Sequence, residues 1–293
     1  SSGIDSIKGL NSNANNHLII SGGTLTLNDA ASTSSLAGNL TIDGGTLTAN
    51  GPLSASLLTL SSGLLNGSGN LTVVNGFTQT SGTINSTGNL SITQASGNLS
   101  LGAITATSIT AQAVGSITVG GVLNSSGDLA IVATGSTSDL TISNNIIGTG
   151  VAGKTLTLQA GNNVIFNSAA SVGTTNALNV VLNSDRDASG AGNIQLNTGT
   201  SITSNGGDIT LGGGINPLAT AAVGSGLATF ANKAGIYLDN ATLNSGGGNI
   251  SLRARGRSGT VQGIGIFSFG GTDILASGGT ITLTGTGGGG GTS

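Results

Sequence analysis

A five-residue phrase returns along this 293-residue chain: glycine, a small polar residue, an aliphatic residue, a polar or variable residue, and a second aliphatic. It reads Gly23-Thr24-Leu25-Thr26-Leu27, Gly38-Asn39-Leu40-Thr41-Ile42 and Gly69-Asn70-Leu71-Thr72-Val73, with further copies starting at Gly88, Gly97, Gly115, Gly127, Gly192, Gly207, Gly248 and Gly279. Each phrase alternates apolar with polar, the period of a strand with one buried face. The residues that lead it tolerate the left-handed backbone of a sharp turn, so the pattern predicts strands of three to five residues punctuated by tight turns. The interval from Gly88 to Gly127 is about twice that from Gly69 to Gly88, whereas the steps from Gly192 to Gly207 and from Gly248 to Gly279 fit neither length. A degenerate period of roughly 20 residues is the mark of a solenoid.

Helical signals are almost missing; residues 219–233 alone have a passable helical composition, weakened by glycine. The expected fold is all-β, a right-handed parallel β-helix of about 14 coils, which at ~4.8 Å per coil makes a rod roughly 70 Å long. Single Leu, Ile or Val side chains at the inward positions suit a narrow solenoid better than a sandwich, whose core is about 10 Å thick. One rod domain is expected over residues 1–286, followed by a glycine-rich flexible tail or linker over 287–293.

Composition removes several alternatives. With 54 glycines the chain is far above the usual ~7%, yet glycine does not recur every third residue and there are two prolines, so it is not collagen. Leu, Ile, Val and Phe make up roughly a quarter, above the ~20% below which a chain reads as disordered. Apolar runs are far short of the ~18 residues a membrane helix requires, so no membrane insertion is expected. The absence of cysteine excludes disulfides and thiolate metal sites. Without Met at position 1, Ser1 reads as an internal or processed start.

A formal net charge of −3, from 7 Lys and Arg against 10 Asp, gives no pull toward nucleic acid. Nor do six aromatic residues, Phe77, Phe166, Phe230, Tyr237, Phe267 and Phe269, offer much to stack on bases. Residues 44–127 carry no charge, no His and no Tyr, and so hold no proton-transfer group. Charge concentrates toward the C-terminal end, where turns lengthen, and special function is expected between positions 180 and 275.

Within that stretch, Val180-Val-Leu-Asn-Ser-Asp-Arg-Asp187 and Ser204-Asn-Gly-Gly-Asp-Ile-Thr-Leu-Gly-Gly-Gly214 resemble segments of filamentous-haemagglutinin-like large exoproteins. So do Ala241-Thr-Leu-Asn-Ser-Gly-Gly-Gly-Asn-Ile-Ser-Leu252 and Ser277-Gly-Gly-Thr-Ile-Thr-Leu-Thr284. The resemblance implies a bacterial surface adhesin exported by two-partner secretion as a long right-handed β-helix. The Asn-Pro-Asn motif of that family's secretion domain does not occur here, so the resemblance implies a shaft segment.

Two local patterns carry candidate chemistry. Asp185, Asp187 and Ser189 followed by Gly190 have the spacing of the first half of a calcium loop, where alternate oxygens converge on a cation. The usual position-12 glutamate is Leu196, and the alternative is a solvated turn in which Arg186 offsets two aspartates. No other cofactor is expected. Arg253, Arg255 and Arg257 alternate with Ala254 and Gly256, which on a strand puts three guanidinium groups on one outward face. Such a stripe suits sulfated or carboxylated glycans, or else pairs with Asp239 and Asp273 as surface ion pairs.

Other features decide less. Thr-x-Thr pairs at Thr24/Thr26, Thr46/Thr48, Thr155/Thr157 and Thr280/Thr282 are too irregular for an ice-ordering rank, and β-propensity accounts for them. Repeated Asn-x-Ser/Thr is generated by the strand phrase itself, and His17 has no second ligand near it in sequence. Hydrolysis of a polysaccharide needs two carboxylates ~5–10 Å apart, which only Asp185 and Asp187 approach, so no enzyme is expected. The expected function is structural and adhesive: a secreted or surface-displayed shaft meeting glycans or proteins of host or neighbouring cells. Head-to-tail association through the β-helix ends and a glycan-binding module are the alternatives.

Overall fold

In the computed structural model, which describes residues 4–259 and 262–289, the strands wind into three parallel sheets that form the faces of a β-solenoid. Successive coils visit the sheets in the same order, as in Thr83–Ser86, Asn89–Gln94 and Leu99–Leu101, before the chain returns to the first sheet at Ala103–Ala106. The first sheet stacks 12 strands from Ile4–Ile7 to Asp273–Leu275, the second has 14, and the third has 7 from Leu99–Leu101 to Ile266–Phe269. Before Leu99 the third face is carried by the far halves of long second-sheet strands, Ser34–Ile42, Leu53–Leu60 and Leu71–Gln79. Register shifts after Leu36 and after Ala55 turn the corner there.

The alternation read from the sequence becomes columns along the axis. In the first sheet Leu47, Leu65, Ile84, Ile104, Leu123, Ile146, Val172, Ile202 and Leu243 stand in register, each buried. One apolar cluster runs from Ile20 to Ala276. Each side chain packs on its equivalents above and below, so stability is a sum of nearest-neighbour terms. Gln79 interrupts a column of the third face above Leu60: it is buried, and its amide accepts from Gly102 N and donates to the Gly82 and Ala103 carbonyls.

The uneven phrase spacing has a geometric origin. Phrases led by Gly69, Gly88, Gly127, Gly207, Gly248 and Gly279 run into the second sheet, whereas those led by Gly97, Gly115 and Gly192 run into the third. The interval from Gly192 to Gly207 is thus a step between faces, and that from Gly248 to Gly279 is a full coil. Coils also lengthen toward the C-terminus: Thr46 pairs with Leu64, whereas Ile202 pairs with Leu243, more than twice as far along the chain. The extra length sits chiefly in residues 214–235, which fold back onto the solenoid. The helical expectation there is met by one turn, Phe230–Lys233, N-capped by Thr229.

Most of the leading glycines do not serve the purpose read from the sequence. Gly23, Gly97 and Gly192 have positive φ, but Gly69, Gly88, Gly127, Gly207, Gly248 and Gly279 do not. At Gly88 a Cβ would overlap the Gly69 carbonyl, and at Gly248 the Gly207 carbonyl. These positions are glycine because the adjacent coil's backbone lies against them. The polar residue that follows is a staple: Asn70 Oδ1 accepts from Asn89 N, Asp208 from Asn249 N and Asn249 from Thr280 N, and Asn179, in the equivalent place after Leu178, accepts from Asp208 N, at 2.7–3.0 Å. Buried serines close the same corner, Ser204 and Ser245 donating to the carbonyls of Gly207 and Gly248.

At the C-terminal end, Ile281–Thr286 pairs with Ile250–Arg255. Beyond it the first tail residues are bonded, with Gly288 N donating to the Gly263 carbonyl and Gly259 N to the Gly289 carbonyl. Residues 290–293 of the expected tail lie outside the described residues.

Candidate functional site

The Asp185 string forms the turn that leaves strand Leu178–Ser184. Asp185 has φ of 47°, a left-handed conformation Asp tolerates better than most residues, and is 2% exposed. Its Oδ1 accepts from Ser189 Oγ at 2.9 Å and from Gly190 N at 3.0 Å, with Oδ2 3.1 Å from the same amide. Asp187 and Ser189 are exposed, and Arg186 turns its Nε to Gln159 Oε1 at 3.3 Å. The two carboxylates are therefore placed differently, one buried and bracing the turn, the other in solvent. Among the described residues no three His, Cys, Asp or Glu side chains come together as metal ligands. Asp185→Ala is expected to destabilise the fold by about 1–3 kcal/mol through the orphaned donors, and Asp185→Asn by less. A chelator should leave the melting midpoint of the wild-type protein unchanged; a calcium-dependent rise in that midpoint would instead place an ion in the turn.

The arginines do share one side of the backbone. Leu252, Ala254 and Gly256 are buried, while Arg253 and Arg257 are half-buried and Arg255 exposed. For Arg253 and Arg255 the pairing with Asp239 and Asp273 read from spacing does not fit the topology. Coils here are much longer than the early ones, so Asp239 lies in the third sheet and Asp273 in the first, whereas Arg253 and Arg255 are in the second. Asp239 instead accepts from Thr198 Oγ1 at 2.7 Å, and Arg253 Nε donates to the Leu218 carbonyl at 3.0 Å. The folded-back segment 214–235 lies along this strand: Ala222–Val223 pairs with Ala254–Arg255, Gly224 N donates to the Arg255 carbonyl, and Arg257 N donates to the Lys233 carbonyl.

That segment also completes an aromatic group that sequence reasoning missed. Tyr237 and Phe267 are register partners on the outside of the third sheet, stacked at 5.7 Å between centroids and 8° between planes. Phe230, from the single helical turn, stacks on Phe267 at 5.6 Å and 6°, and Lys233 Nζ stands 5.7 Å from the Phe230 centroid, within cation–π range. Phe230 and the neighbouring Phe269 are 50% and 60% exposed. Burial and the Asp239 carboxylate push the Tyr237 phenol above its ordinary range, so it remains a neutral hydrogen-bonding group at physiological pH. No sequence period links Phe230 to Phe267; the only signal was that four of the six aromatic residues fall between positions 230 and 269.

Asn193 anchors the segment from beneath. Fully buried, it donates through Nδ2 to the carbonyls of Ala231 and Ala234, and its own N–H is taken by Asn163 Oδ1 at 3.0 Å. Asn163 in turn donates to Asp139 Oδ1, and Asp139 N donates to Ser116 Oγ, so an axial polar ladder ends at the aromatic group.

The remaining candidates are dispersed. His17 Nε2 lies 2.8 Å from Thr41 Oγ1, two strands of one face bridged by a hydrogen bond. Thr24/Thr26 stacks on Thr46/Thr48 in the first sheet, while Thr155/Thr157 and Thr280/Thr282 belong to the second. No helix among the described residues is long and apolar enough to cross a membrane. No family model matches the chain, and no curated protein or solved structure matches it.

Proposed function

We propose that this chain is a structural and adhesive shaft segment of a bacterial surface protein of the filamentous-haemagglutinin-like kind, working outside the cell. The observation that carries the reading is the use made of its polar residues. Asn, Asp and Ser at the corners are committed to backbone groups of adjacent coils, which supports a stiff rod rather than a pocket for chemistry. In this reading the protein is not an enzyme, carries no cofactor and does not engage nucleic acid or insert in a membrane. Its mechanism is spacing and repeated contact, presenting faces and projecting turns to glycans or proteins of host or neighbouring cells.

Head-to-tail association through the β-helix ends is a second reading. Ile281 and Leu283 continue the inward columns of Ile250 and Leu252, yet are 43% and 51% exposed. Negative-stain electron micrographs at micromolar concentration separate the two. A shaft segment is expected as separate rods roughly 6 nm long, from 12 strands at ~4.8 Å. Long uniform fibres would overturn the shaft reading in favour of a filament subunit.

A further inference from the structure

We propose that Phe230, Phe267 and Tyr237, with Lys233 and the nearby exposed Arg255, form a surface that binds acidic polysaccharide, the aromatic rings taking sugar faces and the cations taking carboxylate or sulfate groups. The inference rests on the adhesive reading and names its ligand class and site.

The first argument is a change of residue type at a fixed place in the fold. The outward column of the third face holds Thr41, Thr59 and Thr78, then Ser100, Thr118 and Thr141, all small hydroxyl side chains. Further along, the same column continues through Ile165 and Gln195 to Tyr237 and Phe267. Earlier coils stack without aromatic residues at this position, so their presence here is not demanded by the sheet. A stacked group that remains open at Phe230 offers an apolar ridge rather than a buried core.

The second argument is charge. Four of the seven cationic residues of the chain, Lys233, Arg253, Arg255 and Arg257, lie between positions 233 and 257. The backbones of three of them are brought together, since Arg257 N donates to the Lys233 carbonyl and Gly224 N, of the same folded-back segment as Lys233, donates to the Arg255 carbonyl. The protein as a whole is acidic, so this concentration is local and directs anions to one place. Pyranose rings carry C–H groups of positive edge potential that suit the negative face of an aromatic ring, and guanidinium forks match planar carboxylate and sulfate oxygens. Asp239 and the Tyr237 hydroxyl beside the rings supply acceptors and a donor for sugar hydroxyls. An exposed aromatic ring with a cation beside it, as at Phe230 and Lys233, suits an anionic sugar chain better than a free anion, which has no use for the ring.

The chain has one tyrosine and no tryptophan, so its tyrosine fluorescence reports Tyr237 alone. Titration with polygalacturonate and with dextran sulfate, against neutral dextran, is expected to change that fluorescence for one or both acidic polymers and not for the neutral one. The two acidic arms distinguish carboxylate from sulfate as the preferred group. Phe230→Leu, at an exposed position that the core does not use, should weaken binding about threefold, and Lys233→Gln or Arg255→Gln about tenfold, with unchanged melting midpoints. Phe230→Ala serves as the second aromatic variant. Equal response to neutral dextran, absence of any response, or polymer binding that ignores Phe230 and Lys233 would overturn the inference. None of these would alter the rods expected in micrographs, and fibres there would not alter the fluorescence result.

Discussion

Gly88→Ala lowers the stability of the solenoid by about 1–3 kcal/mol, although it adds only one methyl group. The added Cβ is directed at the Gly69 carbonyl and at Asn70 N, both backbone, so no side-chain rotation relieves the overlap. The two coils must separate locally, and the parallel pairing of Leu71–Val73 with Leu90–Ile92 weakens with them. Gly173→Ala is the matched control. It too replaces a glycine of a strand, Ser171–Thr174, but its φ is not positive and nothing lies within 4 Å of the added carbon. That substitution should be neutral or stabilising by up to about 1 kcal/mol, through the reduced freedom of the unfolded chain. Urea midpoints with unchanged slopes measure both effects. Equal midpoints for the two variants would show that axial contact does not set the requirement for glycine.

Asn193→Leu is the second large effect, again about 1–3 kcal/mol, with a consequence at a distance from the substituted atom. Leucine conserves size in a fully buried position but removes the donor that holds the Ala231 and Ala234 carbonyls, and it strips Gln195 Nε2 of its Asn193 Oδ1 acceptor. Buried carbonyls and an amide left without partners cost more than the leucine returns in apolar burial. The released segment carries Phe230 and Lys233, so amide exchange should accelerate through residues 224–235 and the Tyr237 fluorescence should change even without ligand. Exchange rates equal to wild type in that segment would show that other contacts hold it.

Alternation alone is enough to read strands at the glycine-led phrases, because a strand exposing one face must place every second side chain inward. A recurring phrase of similar length is enough to read a stack, since equal units bury their apolar residues against one another. The turn at Asp185 is legible as a turn, though not its internal bracing. Spacing cannot tell whether carboxylate oxygens meet donors of the same loop or leave them for a cation. The ion pairs expected for Arg253 and Arg255 fail for a related reason: the coil length suggested by the early phrases breaks down where Ile202 pairs with a residue as distant as Leu243.

The sequence by itself determined the class of fold, the near absence of helix, the region where charge collects and the alternation that places three arginines on one outward side. These depend on local periodicity, which survives without knowledge of which coil lies above which. Tertiary structure alone decided why the phrase begins with glycine and then Asn or Asp, because the partners of both are atoms of the neighbouring coil, a full and variable turn of chain away. It also decided that Phe230, Tyr237 and Phe267 form one stacked group beside Lys233. Their proximity follows from a folded-back segment and an inter-coil register, and the variable lengths of the turns conceal both from any reading along the chain.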